Sequence, residues 1–216
     1  MIEQILPGSV TAVETFDEIP ADLYPDEQAV VRWAVPKRRE EFTTVRHCAR
    51  TALSRIGVAP GPILPDPWGA PQWPRQVVGS MTHCSGYRAA AVADVHDVAS
   101  IGVDAEPHES LPDRVVDMVA SPQERHHLHD LATACPHIWW DRLLFSVKES
   151  VYKAWYPLTK VWLDFDGVEV TIDPAQRRFS ARVVLPASSR AEHWPKAFDG
   201  RFLVGSGLVL TAVVQA

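Results

Sequence analysis

The sequence predicts an α+β fold of two similar lobes, each a long helix packed on an antiparallel sheet and related by a pseudo-twofold axis. Three observations carry this. One helical run spans residues 38–56, a second is centred on FSVKESVYK at 145–153, and each is followed by short β-rich segments separated by turn residues. We divide the lobes after Glu106, into 1–106 and 107–216. The second half repeats the first in outline: a helix, then antiparallel strands.

Taken in order, residues 1–24 carry short apolar pieces (Ile5, Leu6, Val10, Val13) that read as a strand or two. A helix opens near Asp26 and runs through Trp33, and Pro36 interrupts it. In 38–56, Phe42, Val45, Ala49, Ala52, Leu53 and Ile56 recur at helical spacing and define a core face, with Gly57 ending the run. Beside that face lie Lys37, Arg38, Arg39, Arg46 and Arg50. A charge run is ordinarily a solvated face. Several cations converging near a helix start also make a phosphate site.

Six prolines between Pro60 and Pro74, with Gly61 and Gly69, mark an ordered surface loop or a linker. Residues 77–81 read as a strand, THCSGY as a turn, and 89–93 with 98–105 as a hairpin. In SPQERHHLHD, Ser121 is a good N-cap with Pro122 at the first helical position and Glu124 at the third. His126, His127, His129, Cys135 and His137 match no standard zinc spacing, and a solvent-facing helix accounts for them. The helix of 145–153 is free of Gly and is closed by Pro157; Leu144, Val147, Val151, Ala154 and Trp155 share one face at about 100° per residue. Strands follow at 168–172, 179–185 and 202–214.

Composition narrows the function. A net charge of −6 argues against general nucleic-acid binding while leaving room for a local basic pocket. No run of eighteen apolar residues is present to span a membrane, and the N-terminus lacks the pattern of a secretory signal. Three scattered cysteines, Cys48, Cys84 and Cys135, fit buried thiols in a reducing cytoplasm better than a disulfide framework.

Two stretches carry chemistry. In SIGVDAEP at 100–107 the strand period puts Asp104 and Glu106 on one face, roughly 6.5–7 Å apart at their roots, and Ile101, Val103 and Ala105 on the other. Two carboxylates side by side repel unless a cation sits between them, and magnesium, a hard cation that keeps positions for water and phosphate, is the economical choice. An exposed strand end with two solvated acids is the plainer alternative. On the helix, Glu149 and Lys153 lie one turn apart, away from the core face; alone they read as a surface pair of about 0.2–0.5 kcal/mol.

Together the stretches are more specific. An Ile-Gly-Val-Asp-x-Glu strand followed some forty residues later by Phe-x-x-Lys-Glu-Ser-x-x-Lys resembles the phosphopantetheinyl transferases, especially the monomeric two-lobed kind serving siderophore, peptide and polyketide synthases. KRREEFTTVRHCAR at 37–50, GSMTHCSGYRAAAVA at 79–93 and WLDFDGVEV after the helix extend the resemblance over residues from about 37 to 170.

The resemblance implies an enzyme that moves the phosphopantetheine arm of coenzyme A to a serine of an acyl or peptidyl carrier protein and releases 3′,5′-adenosine diphosphate. It implies that Arg38 and Arg46, with Arg39 as the alternative to Arg38, meet the 3′-phosphate, and that His83 donates to the diphosphate. Asp104, Glu106 and Glu149 would hold magnesium, with manganese as the other candidate. Glu149 would take the serine proton directly or through a water; Lys153 would neutralise or protonate the leaving phosphate; Lys148 would reach a phosphate or bury its stem. Met118, Trp162 and Leu163 are candidate apolar contacts for the carrier's helix. One departure stands out. The family commonly has Lys or Arg before the Gly-x-Pro, whereas WGAPQWP places Trp68 there; an indole cannot neutralise phosphate but can stack on adenine, and Arg75 lies close in sequence. The competing functions are a magnesium-dependent diphosphate hydrolase and a non-catalytic coenzyme A binding module.

Overall fold

A computed structural model describes residues 1–184 and 194–216. Helix α1 (Pro25–Val30) leads into α2 (Pro36–Arg55), which starts on Pro36 because a first-turn proline sacrifices no helical hydrogen bond. Strands β1 (Thr11–Thr15), β2 (Val77–Cys84) and β3 (Tyr87–Asp94) form an antiparallel sheet in the order β1-β3-β2. The face of α2 expected from its periodicity packs on this sheet: Cys48, Ala49, Ala52 and Leu53 meet Val77, Ala90 and Val92.

Strand β4 (Ser100–Pro107) opens a second antiparallel sheet with β5 (Val168–Asp173), β6 (Arg178–Val183), β7 (Ala197–Gly205) and β8 (Leu208–Gln215), in the order β4-β8-β7-β6-β5. Between β4 and β5 the chain forms α3 (Asp113–Val119), α4 (Pro122–Ala134) and the long α5 (Trp140–Thr159). Leu144, Val147, Val151, Ala154 and Trp155 of α5 are buried against Val170, Phe198, Phe202, Val209 and Val213. Each buried Leu, Val or Phe side chain among them contributes roughly 1.5–3 kcal/mol of burial. The α+β class and the pairing of one long helix with each sheet follow the sequence expectation.

Three local expectations need correction. β3 and β4 do not form a hairpin: β4 ladders to β8, with Asp104 opposite Thr211. Toward β2, Val103 N–H donates to Ser80 Oγ and Ala105 N–H to Thr82 Oγ1, both at 3.0 Å, so hydroxyls occupy donors that a β-ladder would otherwise use. The expected strand at 202–214 is a hairpin of β7 and β8, because Ser206 (φ 52°) and Gly207 (φ 73°) form a turn with both central residues at positive φ. Helix α5 continues past Pro157, whose ring fits helical φ although it forfeits one hydrogen bond, and stops at Lys160 in the left-handed region. Residues 1–24 hold one strand, β1, after a 3-10 turn at Ile2–Ile5, within the strand or two expected there. Of the predicted 179–185 strand, Leu185 lies outside the described residues.

Candidate active site

Helix α5 reaches β4 because of Gly102. A Cβ at that position would stand 1.8 Å from the Ser150 carbonyl oxygen, so only glycine lets the helix backbone lie on the strand. This contact brings the polar side of α5 to the acidic face of β4. Lys153 Nζ donates to Asp104 Oδ1 (2.7 Å) and to the Val103 carbonyl (3.2 Å).

Asp104 is buried, 4% exposed. Its Oδ1 also accepts a long hydrogen bond from Thr82 Oγ1 (3.4 Å), while its Oδ2 is buried with no hydrogen-bond partner among the described residues. A buried carboxylate oxygen without a donor is costly unless something binds it. Glu106 Oε2 accepts from Arg142 Nη1 at 2.8 Å. Burial raises the Glu106 carboxyl above the ordinary range, and the Asp104 charge adds to the rise while Arg142 and Lys153 oppose it. Burial likewise raises Glu149; Lys153 pulls it back and Asp104 pushes it further up. Both glutamates thus feel Asp104.

Among the described residues no three metal-ligating side chains stand close enough to form a coordination cluster, and Lys153 holds one of the two Asp104 oxygens. The donor set nevertheless suits a hard divalent cation: all oxygen, one oxygen orphaned, and two glutamates whose ionisation a cation would favour.

Next to the acids a cavity of about 860 Å³ opens between α2, the 65–75 loop, β2 and α5. Arg38, Arg46, Trp68, Arg75, His83, Glu149 and Lys153 line it. Its volume is that of a cofactor site. Arg38 Nη1 hydrogen-bonds His83 Nε2, so the proton of a neutral imidazole sits on Nδ1. Burial first, then the Arg38 charge, lowers the His83 pKa to about 4. Its approach to Glu41 at 3.5 Å is therefore no ion pair near neutral pH. Arg46 lies over the Phe42 ring and donates to the Ile63 carbonyl at 3.3 Å, and its buried Nε has no partner among the described residues. Burial brings its pKa down to about 10, which leaves it charged at pH 7.

Several basic residues are used elsewhere. Arg39 donates to the Arg32 carbonyl, which favours Arg38 of the two alternatives. Arg50 pairs with the wholly buried Glu27. Lys148 is a correction: it is 2% exposed, and its ammonium donates to Glu124 Oε2 and to the carbonyls of Val119 and Phe165, each at 2.8 Å. All three of its protons are spent inside the second lobe, away from the Arg38–His83 cavity. Leu163 is a second correction. It lies in the core at 7% exposure, leaving Met118 (72%) and Trp162 (57%) as the exposed apolar candidates.

The sequence reading missed Arg142, whose side chain holds Glu106 and donates to the carbonyls of Glu109 and Ser110. The available signal was its position seven residues before Glu149, on the same side of the helix. It also missed Asp66 and Tyr156, which join the proline-rich loop to α5. Nothing local marks that pair, since the residues are ninety apart.

The geometry, carboxylates beside a cavity lined by Arg38, Arg46 and Lys153, suits an anionic ligand, and comparison with known proteins supplies the class. Residues 26–93 match the model of the 4′-phosphopantetheinyl transferase N-terminal domain, and residues 100–212 that of the 4′-phosphopantetheinyl transferase superfamily. The chain belongs to the 4′-phosphopantetheinyl transferase superfamily and is a transferase enzyme. It is 51% identical to the 4′-phosphopantetheinyl transferase Svp of Streptomyces mobaraensis, over 100% of this chain and 89% of Svp. It is 45% identical to Npt of Nocardia iowensis over 100% of both chains. To PptT of Mycobacterium tuberculosis it is 42% identical, over 99% of this chain and 97% of PptT.

Proposed function

We propose that the chain acts as a monomer in the cytoplasm and transfers the phosphopantetheine arm of coenzyme A to an acyl or peptidyl carrier protein, with the residues of the α5–β4 junction doing the work. No helix of the described residues is long and apolar enough to cross a membrane, in keeping with a carrier-protein partner in solution. Strand β4 carries Asp104 and Glu106 at the seam between the sheets, laddered to β8 on one side and bound by Ser80 and Thr82 of β2 on the other, so a lobe boundary drawn by sheets falls before Ser100 rather than after Glu106. Nucleic acid has no part in this reading, given the charge of −6.

The carrier serine oxygen forms a bond to the β-phosphorus of coenzyme A, the bond from that phosphorus to the bridging oxygen breaks, and 3′,5′-adenosine diphosphate leaves. Such a transfer needs positioning and charge neutralisation more than covalent help from the enzyme. Arg38, Arg46 and His83 hold the anionic end of the coenzyme in the cavity. Glu149 accepts the serine proton directly or through a water. Lys153 faces the same cavity and neutralises the leaving phosphate or returns a proton to it. Magnesium, or manganese in its place, would be held by Asp104, Glu106 and Glu149 and would supply charge withdrawal from the diphosphate oxygens. Met118 and Trp162 are the apolar surface offered to the carrier.

The observation that carries this reading is Asp104: one oxygen on Lys153, the other buried without a donor among the described residues, beside two glutamates whose carboxyls burial and then the Asp104 charge raise. The test is intact-mass analysis of an apo carrier incubated with the protein, coenzyme A and magnesium. The expected result is a magnesium-dependent gain of one phosphopantetheine arm, reduced by about 10²-fold or more in rate in Glu149→Ala. Coenzyme binding with no gain over several carriers would indicate a binding module. Release of phosphate without any carrier would indicate a hydrolase.

A further inference from the structure

One side chain of the cavity is built in a way that phosphate binding does not explain. Trp68 lines the mouth and is 69% exposed, although a large apolar ring is normally folded away from water. It does not hang from a slack loop. Asp66 Oδ1 accepts from the backbone N–H of both Trp68 (2.9 Å) and Ala70 (3.0 Å), while Asp66 N–H donates to the Ala70 carbonyl (2.8 Å). Pro65 and Pro71 pair across the base of the loop, and Gly69 takes the positive φ of 90° that the turn requires. The second Asp66 oxygen accepts from Tyr156 Oη of α5 at 3.0 Å, fastening the loop to the helix that carries Glu149.

The cavity also changes character along its walls. Val30, Val31, Ala34 and Trp68 offer apolar surface, whereas Arg38, His83, Glu149 and Lys153 offer charge. Tyr156 follows Glu149 by seven residues, roughly 10 Å along a helix. That distance is of the order separating the base from the second phosphate of a nucleoside diphosphate ester.

We infer that the Trp68 indole is the platform on which the purine ring of the bound coenzyme stacks, held in place by the Asp66–Tyr156 link. This rests on the coenzyme A reading of the cavity and adds to it a residue that selects for the base. Trp68 acts by its π-face, so its contribution depends on the presence of a base and on an aromatic ring at position 68. Tyr156 and Asp66 act through it, as positioning residues.

The experiment is calorimetric binding of coenzyme A and of a coenzyme analogue lacking the base, to the wild-type protein, Trp68→Ala, Trp68→Phe and Tyr156→Phe. Stacking of one base on an aromatic side chain corresponds to about a 5- to 100-fold change in affinity. Trp68→Ala is expected to weaken coenzyme A by that factor and to leave the baseless analogue unchanged. Trp68→Phe should stay within about threefold of wild type, and Tyr156→Phe should fall between the two Trp68 variants for coenzyme A alone. Equal weakening of both ligands in Trp68→Ala, or wild-type protein that binds both equally well, overturns the inference. Wild-type protein that binds coenzyme A with no loss in Trp68→Ala overturns the stacking role and leaves the transferase reading intact. Failure of the wild type to bind coenzyme A overturns both.

Discussion

Replacing Lys148 separates a residue of the fold from a residue of the chemistry. Its motif, Lys-Glu-Ser, invites a coenzyme contact, yet its ammonium binds Glu124 and two main-chain carbonyls in a site 2% exposed. Glu124 is itself buried; it caps α4 through Ser121 N–H and accepts from Val170 N–H of β5. The cluster therefore ties α3, α4, α5 and β5 together. Lys148→Met removes the only cation on Glu124 among the described residues and strands two carbonyls. Removing one partner of a buried ion pair costs about 3–5 kcal/mol. At about 2–4 °C per kcal/mol for a chain of this size, the melting midpoint should fall by about 6–20 °C. Burial already lowers the Lys148 pKa, and Glu124 offsets part of that loss, as expected where the pair rather than solvent keeps the charge. The assay is thermal or urea denaturation alongside steady-state transfer kinetics well below the midpoint. KM for coenzyme A should be unchanged in the folded protein. Lys148→Met combined with Glu124→Gln should recover part of the stability, because the uncompensated charge is gone. A raised KM for coenzyme A with unchanged stability would refute the assignment and restore Lys148 to the phosphate site.

Two further predictions follow from the α5–β4 contact. Gly102→Ala forces α5 away from β4, since the new methyl would meet the Ser150 carbonyl; both stability and kcat should drop, the latter through a lengthened Lys153–Asp104 bond, while coenzyme affinity, set mainly from the first lobe, should change least. Glu149→Gln should show a stability gain that depends on pH. The folded pKa of Glu149 lies above its unfolded value, so the folded state binds the proton more tightly and stability is lost as pH rises through the raised folded pKa. Without metal, the glutamine variant should thus melt higher than wild type at pH 8 and equally at pH 4, while losing transfer activity; an equal shift at both pH values would sink the idea.

Much of the site was legible because it depends on local periods. Strand alternation put Asp104 and Glu106 on one face, where Lys153 and Arg142 of α5 reach them, and the 3.6-residue period set Leu144, Val147 and Trp155 in the core with Glu149 and Lys153 toward the cavity. What failed was partner choice across the chain. The residues from 98 onward read as the return strand of a hairpin with β3, yet β3 is the central strand with both edges taken by β1 and β2, and β4 pairs with β8, over a hundred residues later. The two lysines of the motif illustrate the same limit. Five residues on a helix amount to roughly 140° of rotation, so Lys148 and Lys153 point to different sides. Which side meets the cavity is decided by Glu124, Val119 and Phe165, all outside the motif.

That division of labour explains why a single helix can serve both fold and chemistry. Lys148 satisfies the buried carboxylate of Glu124 and fixes α5 from the second lobe, whereas Lys153, on the other side, reaches the buried Asp104 of β4. Gly102 sets the separation at which the second contact forms. Burial first, and the Asp104 charge in addition, raise the Glu106 and Glu149 carboxyls, a cost that the packing of α5 on its sheet sustains. A site destabilised in this way favours whatever neutralises it, and a divalent cation delivered with the coenzyme diphosphate would do so. Coenzyme A and magnesium should therefore raise the melting midpoint more together than the sum of their separate effects, and additive shifts would mean that the carboxylates and the cavity do not share one ligand.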